Sequence, residues 1–495
     1  MSHTLKELLV VLAIASTVFW FARPVALLFS AERDFLCRRN AWFAVTIAAF
    51  LCPNFWMFCV VAAFVIRWAA RRDSSSAALY LMLLYVVPDY SWRVPMVGMS
   101  YLVDLDFPMV LALCLMPPAA LRVAKSAEQR RLQLVDYCLL AYLALTSVYF
   151  VLPEVGRGVL MTPTTTDSLR RAGEALLSVY LPFFVISRSG KSCRELQDTV
   201  AALCLSCAVM AAIATFEGVR HWLLYGGMLD NWDPSYNAYL ERASALRARA
   251  STSHSLFLGY VLAVAFGLWL GLMSHVQSAL QRAGAIVLYW LGLLAAYSRG
   301  PWLGAILIYF VYIAVRGRRL SRLIKAAVTA GLIAAIVLAS PLGDRVVRVV
   351  PFLGGTVDSW NITYRERLLD RAWEVIQDSP LLGDQYALAK LQDLRAAGII
   401  DLMNGFVNIL LDNGFVGLTL FGAFVVLGLH KGWKLGGEGG ATETDCGAIA
   451  AALVACLLGT MLMMWVGGLL LAPTTLLVAL IFACARVGVR AAQAT

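Results

Sequence analysis

Long apolar runs recur along the whole chain, and they constrain its fold more than any other feature. Runs of about 20 apolar residues are long enough to cross the hydrocarbon core of a bilayer as helices. Irregular backbone and open sheet edges are excluded from lipid, because their polar groups would lack hydrogen-bond partners. Of the 495 residues, 60% are hydrophobic and 15% are charged, whereas a soluble domain carries about a quarter charged residues. The sequence therefore predicts an all-α polytopic membrane protein.

The positions of these runs predict about 14 transmembrane helices. The predicted spans are residues 8–30, 41–66, 77–92, 107–121, 133–152, 174–187, 198–216, 254–274, 283–297, 301–315, 324–340, 405–429, 447–468 and 472–486.

Basic residues cluster between the predicted spans, and all six clusters fall on one side of this topology. The clusters are Arg67, Arg71 and Arg72; Arg122, Lys125, Arg130 and Arg131; Arg188, Lys191 and Arg194; Arg316, Arg318, Arg319, Arg322 and Lys325; Lys431 and Lys434; and Arg486 and Arg490. Basic residues collect on cytoplasmic flanks, so this side and both termini are assigned to the cytoplasm. The net charge of +10 is then a topology signal and does not indicate nucleic-acid binding.

The topology divides the chain into five parts. Residues 1–217 form N-terminal spans, 218–253 a periplasmic loop, 254–340 spans that include a tight hairpin, 341–404 a large periplasmic loop, and 405–495 C-terminal spans. Within the large loop, apolar spacing over 361–379 predicts an amphipathic helix. Asn361 is its expected cap and Pro380 its expected end. This helix is expected to cover a cavity in the membrane domain.

Three arginines from distant segments are expected to meet at the outer face. Arg299 lies at the tip of the hairpin YSRGPWLG, Arg249 just before a span, and Arg365 on or beside the apolar face of the loop helix, while Arg367 lies off it. One arginine at a span end often only extends to the interface, and Arg365 has Asp401 and Asp384 as alternative partners. Three together favour an anion, because guanidinium groups give paired, charge-assisted hydrogen bonds to phosphate. A lipid pyrophosphate is such an anion at that depth.

These segments resemble the O-antigen ligase and Wzy-type polysaccharide polymerase family. YSRGPWLG (297–304) resembles its hairpin, RASTSHSLFLG its arginine-containing entry to a span, and NITYRERLLDRAWEVIQDSPLLG its loop helix. MNGFVNILLDNGFVGLTLF (403–421) resembles the start of a later helix of the family. The resemblance covers roughly residues 240 to 425.

The resemblance implies a membrane glycosyltransferase without cofactor or metal. It would take a sugar chain from an undecaprenyl-pyrophosphate carrier at the periplasmic face of the bacterial inner membrane, and transfer it with inversion to a glycan or lipid-linked acceptor. Its partners would be that donor, the acceptor, the bilayer, and chain-length regulator and export proteins, but no nucleic acid. Catalytic roles fall to Arg299, Arg249, Arg365 and Asp401, and substrate contacts to Asn404, His254, Arg367 and Ser298.

One position departs from the family pattern. Where the family usually carries histidine before asparagine, this chain has Met403 before Asn404, and methionine cannot accept a proton. The candidate substitutes for the general base are Asp401, Asp384, Glu366 and His254. Asn404 either holds a sugar hydroxyl or caps the helix that begins there.

Three readings of function remain open from the sequence. A polysaccharide polymerase is favoured over a ligase. A lipid-linked oligosaccharide flippase or other transporter would share the arginines, but ionisable residues that mark an ion path are scarce within the spans, Asp136 and Asp412 being the visible ones. A non-catalytic partner in polysaccharide assembly would explain Met403.

Overall fold

The structure is a computed structural model of the single chain. It describes residues 3–96, 101–125, 127–148, 165–232, 241–242, 245–316, 359–384, 386–391, 394, 404–437 and 445–494. Met403 and Asp401 lie outside the described residues.

Helices account for most of the described N-terminal half. They are α1 (His3–Phe29), α2 (Glu32–Leu51), α3 (Phe55–Ala70), α4 (Ser76–Leu83), α5 (Phe107–Ala124), α6 (Ala127–Arg130), α7 (Leu134–Val148), α8 (Thr165–Ala175), α9 (Leu181–Ser189), α10 (Cys193–Arg220) and α11 (Gly226–Trp232). A π-helical turn at Leu176–Tyr180 joins α8 to α9. A two-stranded antiparallel hairpin between α4 and α5 pairs β1 (Ser91–Arg93) with β2 (Asp104–Asp106), with Trp92 opposite Leu105.

The C-terminal half continues the helical pattern. Its helices are α12 (Ser255–Leu272), α13 (Ala279–Ala295), α14 (Arg299–Val315), α15 (Ser359–Asp378), α16 (Ala387–Lys390), α17 (Gly405–Gly437), α18 (Asp445–Trp465) and α19 (Leu471–Ala494). Before α12, β3 (Glu241–Arg242) pairs antiparallel with β4 (Ala245–Leu246).

The long helices run between two ends of one bundle. At the disulfide end, Cys193 at the start of α10 is bonded to Cys446 at the start of α18. At the opposite end, α10 finishes at Arg220 and α12, α14 and α17 begin at Ser255, Arg299 and Gly405. We call this second end the arginine end, because Arg249 and Arg299 lie there.

Apolar composition and length identify the membrane-crossing elements. Six described helices are long and apolar enough to cross a membrane, namely α1, α5, α10, α12 with its short extension to His275, α17 and α18. Apolar helices of 10–17 residues add α3, α7, α13, α14 and residues 471–487 of α19. The expectation of an all-α membrane protein is confirmed, and the count of about 14 spans stays a prediction.

The prediction of one span over 41–66 is wrong. Cys52 is extended (φ −74°, ψ 125°) and ends α2, as expected for a residue before proline. Asn54 then starts α3 by accepting a hydrogen bond from the Met57 amide at 3.0 Å. The predicted span is therefore two helices, α2 and α3. The additional helix reverses the direction in which the preceding helix α1 runs through the bundle, relative to the predicted topology.

This additional helix also corrects the expected placement of the two termini on one side. The His3 ring packs edge-on against Trp222, beyond the end of α10, so α1 begins at the arginine end. Near the other terminus, the Cys484 thiol donates to the Cys446 carbonyl at 3.5 Å, at the disulfide end. The basic residues that the structure describes in these clusters still share an end, as Arg122 on Ser76 and Arg316 beside Gly447 illustrate.

The helix α17 is broken near its N-terminal third, and a loop segment fills the break. Gly414 has φ 58° and ψ −162°, a combination available essentially to glycine alone. The amides of Phe415 and Val416 donate to the carbonyls of Pro380 and Leu381 at 2.8 and 3.1 Å, and the Leu411 carbonyl accepts from the Asp384 amide at 2.8 Å. The segment Pro380–Asp384 thus replaces the helical partners lost at the break, as membrane interiors require.

The expected amphipathic helix exists as α15 and lies against α17. It begins at Ser359, two residues before the expected cap, so Asn361 lies inside it, and it ends before Pro380. Its buried positions are Leu368, Ala372, Val375 and Ile376, and Ala372, Val375 and Ile376 cluster with Leu411 of α17. Leu369 is exposed, so the buried face is turned slightly from the one that the sequence predicted.

A buried ionic cluster ties α2, the α3–α4 turn and α10 together at the disulfide end. The Arg38 guanidinium is 3% exposed. It donates to Asp73 at 2.7 and 2.9 Å and to Asp198 at 2.6 and 2.8 Å. The Ser30 hydroxyl also donates to Asp198. Two bidentate contacts use the planar geometry that distinguishes arginine from lysine.

We therefore expect Arg38→Lys to lower the free energy of unfolding by roughly 2 kcal/mol, because an ammonium keeps the charge but cannot pair with both carboxylates. Thermal unfolding in detergent, followed by intrinsic fluorescence, measures this as a lower midpoint. Arg39→Lys is the matched control, since Arg39 donates to the neighbouring Asn40 side chain alone among the described contacts. Equal midpoints for the two variants would contradict a stabilising role for the cluster.

Candidate functional site at the arginine end

Arg249 lies in a tightly held loop between α10 and α12. Its side chain is 2% exposed. The amides of Arg249 and Ala250 donate to Glu217 Oε2 at 3.0 and 2.8 Å, while the Leu224 amide donates to Glu217 Oε1 at 2.9 Å. Ala250 adopts a left-handed conformation (φ 46°). Glu217, in the last turn of α10 and fully buried, thus fixes the turn that presents Arg249.

Arg299 is the first residue of α14, at the tip of the α13–α14 hairpin. The hairpin turns through Tyr297, which is left-handed (φ 48°), and Ser298, which is 5% exposed. The Trp302 indole donates to the Leu293 carbonyl at 2.8 Å and ties the two helices at the tip. Arg299 itself is half-buried. The sequence prediction of an arginine at a helical hairpin tip is confirmed.

The start of α12 joins the Arg249 loop to the hairpin. The Ala248 amide donates to the Ala295 carbonyl at 3.1 Å, just before the hairpin tip. A Cβ placed on Gly259 would lie 2.8 Å from Pro301, so the first turns of α12 and α14 are in close contact. The segments that carry Arg249 and Arg299 therefore both adjoin the N-terminus of α12, while the sharing of one anion by the two side chains stays a prediction.

Asn404 starts α17 beside the same hairpin. Its Oδ1 accepts hydrogen bonds from the Phe406 and Val407 amides at 3.0 and 3.3 Å, so capping, one of the two roles expected for it, is present. A Cβ on Gly405 would lie 3.1 Å from Gly468, and one on Gly300 would lie 2.8 Å from Val466. The α18–α19 turn thus bridges Asn404 and Arg299.

The electrostatics of this end favour an anion. The α12, α14 and α17 N-termini lie together here, and each carries the positive end of a helix dipole. Asn404 caps α17, whereas neither His254 nor Ser298 caps its helix through its side chain. Arg299 adds a cation where the dipole disfavours one, by about 0.3–1 kcal/mol. A bound anion at this point would interact favourably with both the arginine and the helix N-terminus.

The remaining candidates from the sequence separate into several groups. His254 is exposed and precedes α12, and Arg367 is exposed on α15. Position 365 lies one helical turn before the buried Leu368 on α15, while the Arg365 side chain and Asp401 fall outside what the structure describes. Among the described residues, no group of three His, Cys, Asp or Glu side chains is arranged to hold a metal ion.

Two of the alternative bases are also placed by the structure. Asp384 accepts from the Tyr386 amide at 2.8 Å and pairs with Lys390 at 2.7 Å, so its carboxylate already stabilises the turn before α16. Glu366 is exposed on α15. The expected alternative of an Arg365–Asp384 pair therefore competes with a formed Lys390–Asp384 pair.

Asp89, which the sequence did not single out, lies at the arginine end as well. The helix predicted over 77–92 ends at Leu83 as the short α4, so Asp89 lies six residues beyond it and outside the candidate membrane spans. Desolvation by the surrounding protein raises the pKa of Asp89, and nearby His254 lowers it. Its side chain nevertheless remains exposed.

Asp106 borders the same region at the end of β2. Desolvation, with smaller contributions from Asp89 and Glu174, raises the pKa of Asp106 to about 6. Its Oδ1 accepts from the Met109 amide at 2.7 Å and caps α5. Asp106 therefore has a structural role as the cap of α5, and its carboxyl group interacts electrostatically with that of Asp89.

Comparison with protein families shows which part of the chain resembles a known family. Residues 284–422 match the family model described as O-antigen ligase, a range that includes the hairpin tip, α15, the break at Gly414 and Asn404 but not Arg249 or His254. No curated protein matches the chain. This match supports membership of the O-antigen ligase family, and the chain is in general terms a membrane protein whose matched segment is of the glycosyl-transferring, ligase or polymerase type.

Proposed function

We propose that this protein transfers or polymerises undecaprenyl-pyrophosphate-linked oligosaccharide at the periplasmic face of the bacterial inner membrane, and that it is a polymerase. The observation that carries the proposal is the placement of Arg249 and Arg299 around the N-termini of α12 and α14, within and beside the matched family segment. Lipid pyrophosphate fits this placement, because its charge lies at the membrane boundary while its chain lies in the bilayer.

The proposed reaction is a displacement at the anomeric carbon of the donor sugar. The acceptor hydroxyl oxygen forms a bond to that carbon, and the bond from the carbon to the pyrophosphate oxygen breaks. The electron pair leaves with undecaprenyl pyrophosphate, and the hydroxyl proton passes to a base. Arg299, Arg249 and Arg365 would stabilise the charge that develops on the leaving group, which is where fixed cations accelerate such a step.

Substrate contacts are proposed for the residues that surround the arginines. Ser298 and Arg299 share the hairpin tip, and His254 stands at the entrance to α12. Arg367 is exposed on α15, where it would contact the glycan and not the pyrophosphate. Asn404 caps α17 through its oxygen, which leaves its amide NH₂ as a donor for a sugar hydroxyl.

The proposal predicts which intermediate accumulates when the gene is deleted from the producing cell. We expect single lipid-linked repeat units on the outer leaflet, because flipping continues while polymerisation stops. Lipid-linked sugars would be extracted and resolved by chain length, and external glycosidase added to spheroplasts would report the leaflet. Complementation with the wild-type gene is the control.

Two other accumulation patterns would change the assignment. Long lipid-linked polymer on the outer leaflet, with none transferred, would identify a ligase instead of a polymerase. Units confined to the inner leaflet would overturn the enzyme proposal in favour of a flippase. Unchanged lipid-linked sugars in the deletion strain would exclude all of these functions.

A further inference from the structure

We propose that Asp89 accepts the proton of the acceptor hydroxyl, in place of the histidine that is absent before Asn404. The inference rests on the proposed function. It draws on a segment, residues 84–90, that lies outside the matched family range and reaches the site only through the fold.

The backbone before Asp89 is fastened to the Arg249 loop. The Ser251 hydroxyl donates to the Tyr85 carbonyl at 2.6 Å, and Ser251 is two residues beyond Arg249. The Tyr85 ring also packs edge-on against Phe257 in the first turn of α12. Asp89 and Arg249 therefore belong to two segments that are joined directly, and both adjoin the N-terminus of α12.

The backbone that follows Asp89 is also held in place, through Tyr90. The Tyr90 ring packs against Phe55 and Trp232, and its hydroxyl donates to the Trp232 carbonyl at 3.3 Å. The segment is thus held between α3, α11 and α12 at the arginine end. A carboxyl group on so constrained a backbone is positioned before substrate arrives, which general-base catalysis requires.

Several titratable groups surround Asp89. His254 approaches it from the Arg249 loop, Asp106 from the end of β2, and Tyr85 and Tyr90 belong to its own segment. The raised pKa of Asp89 makes its carboxylate a stronger base than an ordinary aspartate, and its side chain reaches the surface of the protein. The proton then moves from the hydroxyl oxygen to a carboxylate oxygen of Asp89 as the new glycosidic bond forms.

Asp89→Asn tests this role because it keeps the shape of the side chain and removes the base. In the deletion strain, we expect it to lower the rate of polymer formation by on the order of 10²- to 10⁴-fold. The purified variant should bind undecaprenyl pyrophosphate with the wild-type Kd and unfold at the wild-type temperature. Asp370→Asn, at an exposed aspartate of α15, is the matched control and should leave polymer formation normal.

The outcomes separate this inference from the function on which it rests. Normal polymer formation by Asp89→Asn, in cells where deletion itself abolishes polymer, would overturn the role of Asp89 alone. Loss of undecaprenyl pyrophosphate binding in Asp89→Asn would also overturn it, because a base is not required to hold the leaving group. If the deletion leaves lipid-linked sugars unchanged, the proposed function fails first.

The dependence of the wild-type rate on pH gives a second readout. A protonated carboxyl cannot accept a proton, so the initial transfer rate should fall as the pH is lowered through the raised pKa of Asp89. His254→Ala removes a neighbour that lowers this pKa. The pH at which the transfer rate falls should therefore be higher in this variant, whatever its maximal rate at high pH. If the transfer rate of His254→Ala falls at the same pH as that of the wild type, Asp89 is not the group that titrates.

Discussion

Arg299→Ala is expected to abolish polymer formation while the protein still inserts and accumulates normally. The side chain lies at the first residue of α14 and is half-buried, so its loss leaves the hairpin contacts of Trp302 and Gly259 in place. Removal of one group that stabilises developing charge costs about 10²- to 10³-fold in rate. Polymer yield and lipid-linked repeat units, measured in the complemented deletion strain, report the loss.

Two further variants make this test specific for an anion site. Arg299→Lys keeps the charge but loses the paired hydrogen bonds of guanidinium to phosphate, so its rate should lie between those of wild type and Arg299→Ala. Arg220→Ala removes an exposed arginine at the same end of the bundle, in the last turn of α10, and should behave as wild type. Wild-type polymer from Arg299→Ala at normal abundance would eliminate the shared pyrophosphate site.

Arg299 is a better probe of this site than Arg249, for a structural reason. Arg249 is 2% exposed, and its backbone is bound to Glu217, so its replacement would disturb the loop as well as any ligand contact. The sequence could not reveal this difference. In the sequence both arginines stand beside apolar runs and look alike. The predicted span 198–216 ends one residue before Glu217, so no sequence pattern indicated that this carboxylate binds the Arg249 loop. In the structure α10 continues to Arg220 and carries Glu217 inside the protein.

Periodicity predicted the local features of the site well. The hairpin around Arg299, the amphipathic helix before Pro380 and the helix that begins after Asn404 were all recognisable, because each depends on residues close together in sequence. The position of Asp89 depends on contacts between Tyr85 and Ser251, which are 166 residues apart, and no local pattern encodes such a contact. The break at Cys52–Asn54 is local in sequence, but the hydropathy pattern did not predict it. Apolar residues on both sides make residues 41–66 look like one continuous span.

Gly414→Ala is expected to prevent α15 from docking and so to remove both stability and activity. An added Cβ would overlap the Leu381 carbonyl group, and φ 58° with ψ −162° costs a non-glycine residue about 1–3 kcal/mol before any clash. Displacement of Pro380 and Leu381 would leave the Phe415 and Val416 amides without their partners, at about 1–3 kcal/mol for each. We expect low abundance, a much lower unfolding temperature in detergent and no polymer.

Gly422→Ala is the matched control on the same helix, because a Cβ there has no neighbour within 4 Å. Alanine is favoured over glycine by up to about 1 kcal/mol in a regular helix, so this variant should be as stable as wild type or slightly more so. Gly383 lies in the loop segment that fills the break. Gly383→Ala should cause the same defect as Gly414→Ala, since its Cβ would lie 2.5 Å from the backbone nitrogen of Asn413. If Gly414→Ala and Gly383→Ala unfold like Gly422→Ala, then the docked loop does not hold the broken helix together. If both fail while Gly422→Ala remains active, the break is what positions α15, and with it Arg365, beside the arginine end.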